Sequence, residues 1–272
     1  MLICFVSKIF GSALKGVVFG VACLALNITN AAAQSTQQNQ LDAPTSAALV
    51  ALEGLSFIKK LKLAKVGDDV AQFSVAMDYE EGLNAARKDA VQAARWYREA
   101  ALQGNMEAQY RLAKMVSGGA LDVPQDMNAA VKLFQSAAER GHLQSMNEMG
   151  LHLQQGLGMP IDLVAAVKWY EKAASKNFAP AQVNLGLLYV KGEGAAQNHA
   201  EAFKLFERAA ASGDAWAMNN LGSMYEMGWG TTKDVEKAKA LYGQSMNKGN
   251  KMAELNLRRL ADGAAANTGT AQ

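Results

Sequence analysis

A unit of about 36 residues repeats five times along the chain, and this repeat constrains the fold more than any other feature of the sequence. An aromatic residue recurs at spacings of 37, 36, 36 and 36, at Tyr97, Phe134, Tyr170, Phe206 and Tyr242. A small residue recurs in the same way at Ala71, Ala108, Ser145, Ala181, Ala217 and Ala253. A polar residue recurs at Asp89, Asp126, Asp162, Asn198 and Asp234. Repeats of this length indicate an array of stacked supersecondary units.

Each unit is predicted to fold as helix, loop, helix and turn. In the fourth unit Ala181, Leu185, Leu188 and Tyr189 share one face of a helix. Gly186 lies among them, where a larger side chain would hold the neighbouring helix away. The recurring Asp or Asn is suited to cap the second helix, because its side chain can accept bonds from orphaned amide groups. Glycines are expected to end the second helices at Gly104, Gly141, Gly213 and Gly249, with Asn177 in the third unit.

These motifs resemble the Sel1-like repeat, a relative of the tetratricopeptide repeat. The resemblance rests on Leu185-Gly-Leu-Leu-Tyr189, on Gly192-x-Gly194, and on Lys168-Trp-Tyr-Glu-Lys-Ala-Ala174. It implies an all-α fold, an α/α solenoid of about five helix-turn-helix repeats over residues 67–250. A capping helix is expected at 46–66 and another at 251–261, because the two ends of a solenoid must be covered. Residues 34–45, rich in Gln, and the tail 262–272 are predicted to be a disordered linker and a disordered tail.

Residues 1–33 are predicted to be a signal peptide. Lys8 and Lys15 precede an apolar stretch at 16–28, and alanines follow at 31–33. The apolar stretch is shorter than the ~20 residues that a membrane-spanning helix needs. Cleavage is expected between Ala33 and Gln34, which would place the mature protein in the periplasm or outside the cell, without a transmembrane segment. A lipoprotein anchored through Cys23 is the competing interpretation.

Removal of the signal peptide changes the charge and cysteine content. Both cysteines, Cys4 and Cys23, would leave with it, so the mature chain would contain neither disulfides nor thiols. Two of the 27 basic residues would also leave and none of the 25 acidic residues would, giving 25 against 25. A neutral chain argues against nucleic-acid binding and against electrostatic adhesion to an anionic membrane.

The sequence offers no convincing catalytic, metal or cofactor site. The histidines, at 142, 152 and 199, occupy three different repeat positions and form no pair with metal-ligand spacing. Ser56-Phe-Ile-Lys59 matches the Ser-x-x-Lys pattern of enzymes that act on peptidoglycan or β-lactams, but the partner motifs of those enzymes are absent. We therefore predict no enzyme, no metal and no cofactor, and such a hydrolase is the least favoured alternative.

The resemblance implies that the first helix of each repeat lines a concave face. The residues predicted to contact a partner there, or in the adjoining loops, are Asn147, Asn184, Asn219, Asn220, Asn256, Lys191, Arg259 and Trp229. Two interpretations of the asparagines at 184, 220 and 256 remain open. Their amides could stabilise the stacking of adjacent repeats as a ladder, or they could bind the backbone of an extended peptide, since an amide both donates and accepts.

The function that follows is an exported scaffold that binds a protein or peptide partner of the cell envelope. The alternative is a regulator of envelope signalling or polysaccharide assembly that also acts by binding. A solenoid fold does not by itself identify the partner, because function depends on the surface that the fold carries.

Overall fold

The computed structural model describes residues 49–52, 54–119 and 122–268, with side chains described up to residue 262. Every regular element in this part of the chain is a helix. The helices up to residue 174 are α1 (Phe57–Lys65), α2 (Asp69–Glu81), α3 (Ala90–Leu102), α4 (Met106–Gly118), α5 (Met127–Glu139), α6 (Leu143–Gln155) and α7 (Leu163–Ala174). The remaining helices are α8 (Ala179–Lys191), α9 (His199–Ala211), α10 (Ala215–Met227), α11 (Val235–Asn247) and α12 (Lys251–Thr268).

The described residues form two compact units, divided between residues 173 and 174. In the first unit, each of the helices α1 to α5 packs against the helix that follows it. In the second unit, each of the helices α8 to α11 does the same. This regular packing of neighbouring helices is that of an α/α solenoid, as the repeat predicted.

Small and aromatic residues from successive repeats form the core of each unit. Phe73, Tyr97 and Phe134 are fully buried in the first unit, together with the alanines of the helix–helix contacts. Phe206 and Tyr242 are fully buried in the second unit. The recurring aromatic of the sequence is therefore the main core residue of each repeat, inserted from the second helix between helix pairs.

The recurring Asp or Asn caps the second helices as predicted. The Asp89 side chain accepts a bond from the Gln92 amide at 2.9 Å, and Asp126 does the same for Ala129 at 2.9 Å. Asp162, Asn198 and Asp234 repeat the bond in the later units. Such a bond satisfies one of the amide groups that the first turn of a helix leaves unpaired.

The predicted stops of the second helices are also confirmed. The glycines at 104, 141, 213 and 249 have φ values between 86° and 105°, and Asn177 has a φ of 59°. A positive φ reverses the chain direction without steric cost at glycine, and asparagine tolerates it better than most residues.

The two ends of the described chain differ in detail from the prediction. The N-terminal capping segment is interrupted, because residues 49–52 are helical and α1 begins only at Phe57. The C-terminal helix was predicted to end at 261 and instead continues to Thr268, so that residues 262–268 are helical rather than a disordered tail. An alanine run from 264 to 266 favours the helical state, which explains the extension.

The predicted signal peptide and the linker at 34–45 lie outside the described residues. No helix in the described part of the chain combines the length and the apolar character needed to cross a membrane.

Candidate functional site

In the second unit, the first helices of the repeats are α8, α10 and α12, and three of the predicted contact residues are buried between them. Asn219 and Asn220 have an exposed fraction of 0%, and Asn256 has 2%. The Asn256 Nδ2 group donates to Asn219 Oδ1 at 2.9 Å, which joins α12 to α10 by side chains. This bond supports the ladder interpretation, and it joins two side chains of adjacent repeats rather than a side chain and a backbone group.

Three other predicted residues of this face are accessible to solvent. Asn184, on α8, is half-buried. Lys191 ends α8, and its Nζ lies 3.6 Å from Glu193 Oε2. Arg259, on α12, has a side-chain exposed fraction of 37%, and its Nη2 lies 2.6 Å from Glu226 Oε2. All three side chains are thus partly exposed, in contrast to the buried asparagines of the same face.

A buried network beneath Arg259 fixes the position of that side chain. Glu226 is buried on α10 and accepts a bond from Tyr242 Oη at 2.9 Å as well as the bond from Arg259. The Ser223 hydroxyl lies 3.0 Å from the same Tyr242 oxygen. Burial, reinforced by the charge of Glu226, raises the pKa of Tyr242 above its ordinary value, so the phenol stays neutral and continues to donate.

The first unit carries a charged network on its own first helices α2, α4 and α6, which the sequence analysis did not predict. Tyr97 Oη donates to Glu80 at 2.5 Å, and Arg111 Nη1 lies 3.1 Å from the same carboxylate oxygen. Arg111 Nε reaches Glu107 at 3.0 Å, and His142 Nε2 lies 3.1 Å from the other oxygen of Glu107. Two carboxylates, one guanidinium and one imidazole thus link three consecutive repeats.

His142 has a structural position in this network. Its Nδ1 accepts from the Ser145 amide at 3.3 Å, so the imidazole caps α6 in the manner of the Asp or Asn caps. The sequence signal for this role was its repeat position, since Asn105 and Asp214 cap the first helices of other repeats from the same place.

Asn147 lies on α6 and is buried, with an exposed fraction of 7%. Two charged side chains lie in the region of Asn147, one on α4 and one on α6. Lys114 is partly exposed on α4, and its Nζ lies 3.3 Å from Glu148 Oε1 on α6. Within the first unit, Lys114 is therefore better placed than Asn147 to reach a partner.

Trp229 is half-buried in the loop that follows α10. Its indole stacks on the His199 imidazole, with ring centroids 4.8 Å apart and an angle of 16° between the planes. The next residue, Gly230, lies against the His199 carbonyl so closely that a β-carbon would be only 2.3 Å from that oxygen. This packing gives Trp229 a structural role in docking its loop onto α9, and its predicted contact with a partner stays a prediction.

Ser56 and Lys59, the residues of the alternative hydrolase site, do not form a buried Ser–Lys pair. Ser56 and Lys59 are both exposed at the start of α1. The buried lysine of this helix is its neighbour Lys60, whose Nζ lies 3.2 Å from Asp78 Oδ2. Nor does any group of three or more His, Cys, Asp or Glu side chains in the described ranges have an arrangement that could hold a metal ion.

Comparison with known proteins places this geometry in a family. The Sel1 repeat matches residues 69–105, 107–142, 143–178, 179–214 and 217–250. A crystal structure of a protective antigen of uropathogenic Escherichia coli with an SLR fold is 32% identical, with a TM-score of 0.68 over 76% of this chain and 44% of that protein. A Sel1 repeat protein from Oxalobacter formigenes is 27% identical, with a TM-score of 0.67 over 74% of this chain and 86% of that protein.

The chain thus spans less than half of the length of the Escherichia coli antigen. Comparison with the curated proteins finds no match. The five matched repeats cover the region from α2 to α11 almost continuously, and their boundaries agree with the helix pairs of the structure. The chain belongs to the Sel1 repeat family.

Proposed function

We propose that the protein is an exported scaffold that holds a protein or peptide partner of the cell envelope on the first-helix face of its repeats. Sel1 repeat proteins are in general scaffolds for protein interaction, and the family is of a non-catalytic type. The observation that carries the proposal is the contrast on the second unit's face between a buried amide layer and the accessible Asn184, Lys191 and Arg259.

The buried layer supports binding because it holds the Arg259 side chain in place. Arg259 is fixed by Glu226, which Tyr242 also binds, and the adjacent Asn219–Asn256 bond joins α10 to α12. A side chain that is already ordered loses little conformational entropy when it binds a partner. An arginine, a lysine and an amide can together bind the carboxylates and backbone carbonyls of a polypeptide.

Crosslinked capture from the envelope fraction of the source cells tests this proposal. We expect a specific protein to be enriched by the native chain and lost with the double variant Asn184→Ala, Lys191→Ala. The matched control is Lys204→Ala, Lys237→Ala, which removes two exposed lysines from second helices. Equal capture by all three proteins would refute binding on the first-helix face.

The buried asparagines allow the two interpretations of the ladder to be separated. We expect Asn256→Ala to lower the melting temperature, because it removes the bond to Asn219 and leaves a buried amide oxygen without that donor. If partner capture falls while the melting temperature is unchanged, the amide binds the partner directly and the ladder interpretation is wrong.

Export is tested separately. We propose cleavage between Ala33 and Gln34, and N-terminal sequencing of the protein recovered from the periplasm or culture medium should begin at Gln34. A protein recovered only from the cytoplasm with residue 1 intact would contradict export. Recovery in the membrane fraction with a lipid on Cys23 would instead support the lipoprotein alternative.

A further inference from the structure

The second helices of the first unit carry a row of exposed cations, one on each helix. Arg95 on α3, Lys132 on α5 and Lys168 on α7 occupy the same repeat position, with spacings of 37 and 36 residues. All three are exposed, and none has an ion-pair partner within the described residues. We call these three residues the basic row. They lie on the second helices, whereas the proposed partner-binding face is on the first helices.

The lysines on the second helices of the second unit differ from the basic row, because they form ion pairs. Lys204 on α9 has the same repeat position as the basic row, but its Nζ lies 2.7 Å from Glu201 Oε1. On α11 the row position is occupied by Ala240. The two lysines at other positions of that helix are paired, Lys237 with Asp234 at 3.5 Å and Lys239 with Glu236 at 2.8 Å. The lysines of these two helices are thus in local ion pairs, whereas the three cations of the basic row have none within the described residues. Because the two units share the same repeat, the fold by itself does not explain why lysines are paired in one unit while the row in the described part of the other is not.

The composition of the surrounding surface indicates what the row could bind. Helices α3, α5 and α7 contain five basic residues (95, 98, 132, 168 and 172) and three acidic ones (99, 139 and 171), which gives a net charge of 5 − 3 = +2 for the helices themselves. The aspartates that cap them, at 89, 126 and 162, lie at the helix starts, six residues before the row. Val91 and Val164 have exposed fractions of 48% and 54%. Each precedes a cation of the row by four residues, so the apolar and cationic side chains share one helix face.

A partner must therefore match both charge and apolar character. A uniform polyanion, such as a nucleic acid or an acidic polysaccharide, would meet Glu99 and Glu171 beside the cations and would leave the valines without a complement. A protein segment can place discrete carboxylates against the row and apolar side chains against Val91 and Val164. We infer that the basic row is a second docking surface, for an acidic protein segment that also presents apolar side chains.

Fluorescence anisotropy with defined probes tests this inference on the full chain. The probe is a labelled synthetic peptide of repeated Glu-Leu-Ser triplets, compared with a Gln-Leu-Ser peptide and with a peptide of glutamate alone. We expect the Glu-Leu-Ser peptide to bind at least about tenfold more tightly than the other two, and to weaken as salt is added.

Charge reversal then locates the surface. The triple variant Arg95→Glu, Lys132→Glu, Lys168→Glu should weaken binding of the Glu-Leu-Ser peptide by about tenfold or more. The control Lys204→Glu, Lys237→Glu, Lys239→Glu changes the net charge by the same amount on the second helices of the other unit, and we expect it to have little effect. If the reversed row does not fold, as judged by circular dichroism, glutamine replaces glutamate at the same three positions.

The results that would overturn the inference are distinct. Equal weakening by both triple variants would show that the peptide responds to total charge only. Equal binding of the glutamate peptide would show a polyanion surface, and absence of Glu-Leu-Ser binding would show that the row is only a solvated face. The variant Asn184→Ala, Lys191→Ala should bind the peptide normally, which separates this surface from the first-helix face.

Discussion

Single residues control how closely the two helices of a repeat approach. Gly150, Gly186 and Gly222 occupy one position of the first helix, directly against the aromatic ring of the second helix. A β-carbon at Gly186 would lie 2.6 Å from Cε1 of Phe206, which is fully buried and cannot move aside without displacing its neighbours. The glycine therefore allows the ring to pack against helix backbone.

We expect Gly186→Ala to destabilise the protein by about 1–3 kcal/mol, the usual cost of overpacking a core. The measurement is the free energy of unfolding from urea titration followed by circular dichroism. Gly243→Ala is the matched control, because Gly243 is also within a helix and an added β-carbon there meets nothing within 4 Å. It should stabilise α11 by about 0.5–1 kcal/mol, since alanine favours a helix over glycine. A neutral Gly186→Ala would contradict the close-approach argument.

These residue positions differ in how far the sequence could predict them. The caps such as Asp126 and the close-packed Gly186 were predictable, because each acts within one repeat and recurs at a fixed place. The Glu107 network was not, because its partners Arg111 and His142 depend on which side chains of neighbouring repeats meet. The burial of Asn219 and Asn220 was missed for the same reason, since helical periodicity does not give the depth of the groove between first helices.

At the scale of elements, the recurring aromatic of the second helix is paired with one residue near the C-terminus of the first helix. The chemistry of that residue depends on whether the aromatic carries a hydroxyl group. Where the aromatic is tyrosine, the first helix supplies an acceptor, as in Tyr170 Oη to Gln154 at 3.0 Å and Tyr242 to Glu226. Where it is phenylalanine, the equivalent residue makes no such bond, as with Phe206 and the buried Val190. The pairing keeps each phenol satisfied in a buried place.

This pairing predicts a rescue. Phe206→Tyr alone should destabilise by about 1–3 kcal/mol, because the new hydroxyl would be buried beside Val190 without an acceptor. The added change Val190→Gln reproduces the Tyr170–Gln154 arrangement and should recover about 1 kcal/mol or more as a coupling free energy. A double-mutant cycle from urea unfolding measures that coupling, and additive effects of the two changes would show that the pairing is incidental.

Helix ends were the less predictable part of the elements. The repeat motifs predicted the interior helices, but α12 lies beyond the five matched repeats, so no repeat motif gave its length. It continues to Thr268 because its local propensity stays favourable. The interrupted segment before α1 reflects Gly54, whose φ of 80° is incompatible with an α-helix.

At the scale of the whole molecule, stability depends on contacts between neighbouring repeats. A short helix that covers the core of an end repeat therefore contributes strongly to the free energy of unfolding. In the second unit, α12 covers the last repeat. Leu257 and Leu260 pack over a buried cluster that contains Ala238, Tyr242 and Ala253. Its other face presents Leu255, which is 53% exposed. The helix thus has one face that seals the core and one that meets solvent.

We expect the double variant Leu257→Ala, Leu260→Ala to destabilise the protein by about 2–4 kcal/mol, since each leucine loses apolar contact but is only partly buried. Leu255→Ala, on the exposed face of the same helix, should change stability by less than about 0.5 kcal/mol. Because coupling in a repeat array passes between neighbours, amide hydrogen exchange should accelerate in α10, α11 and α12 while α2 to α6 stay protected. Uniform acceleration through all of these helices would show instead that the chain unfolds as one cooperative body, and the nearest-neighbour account of its stability would be wrong.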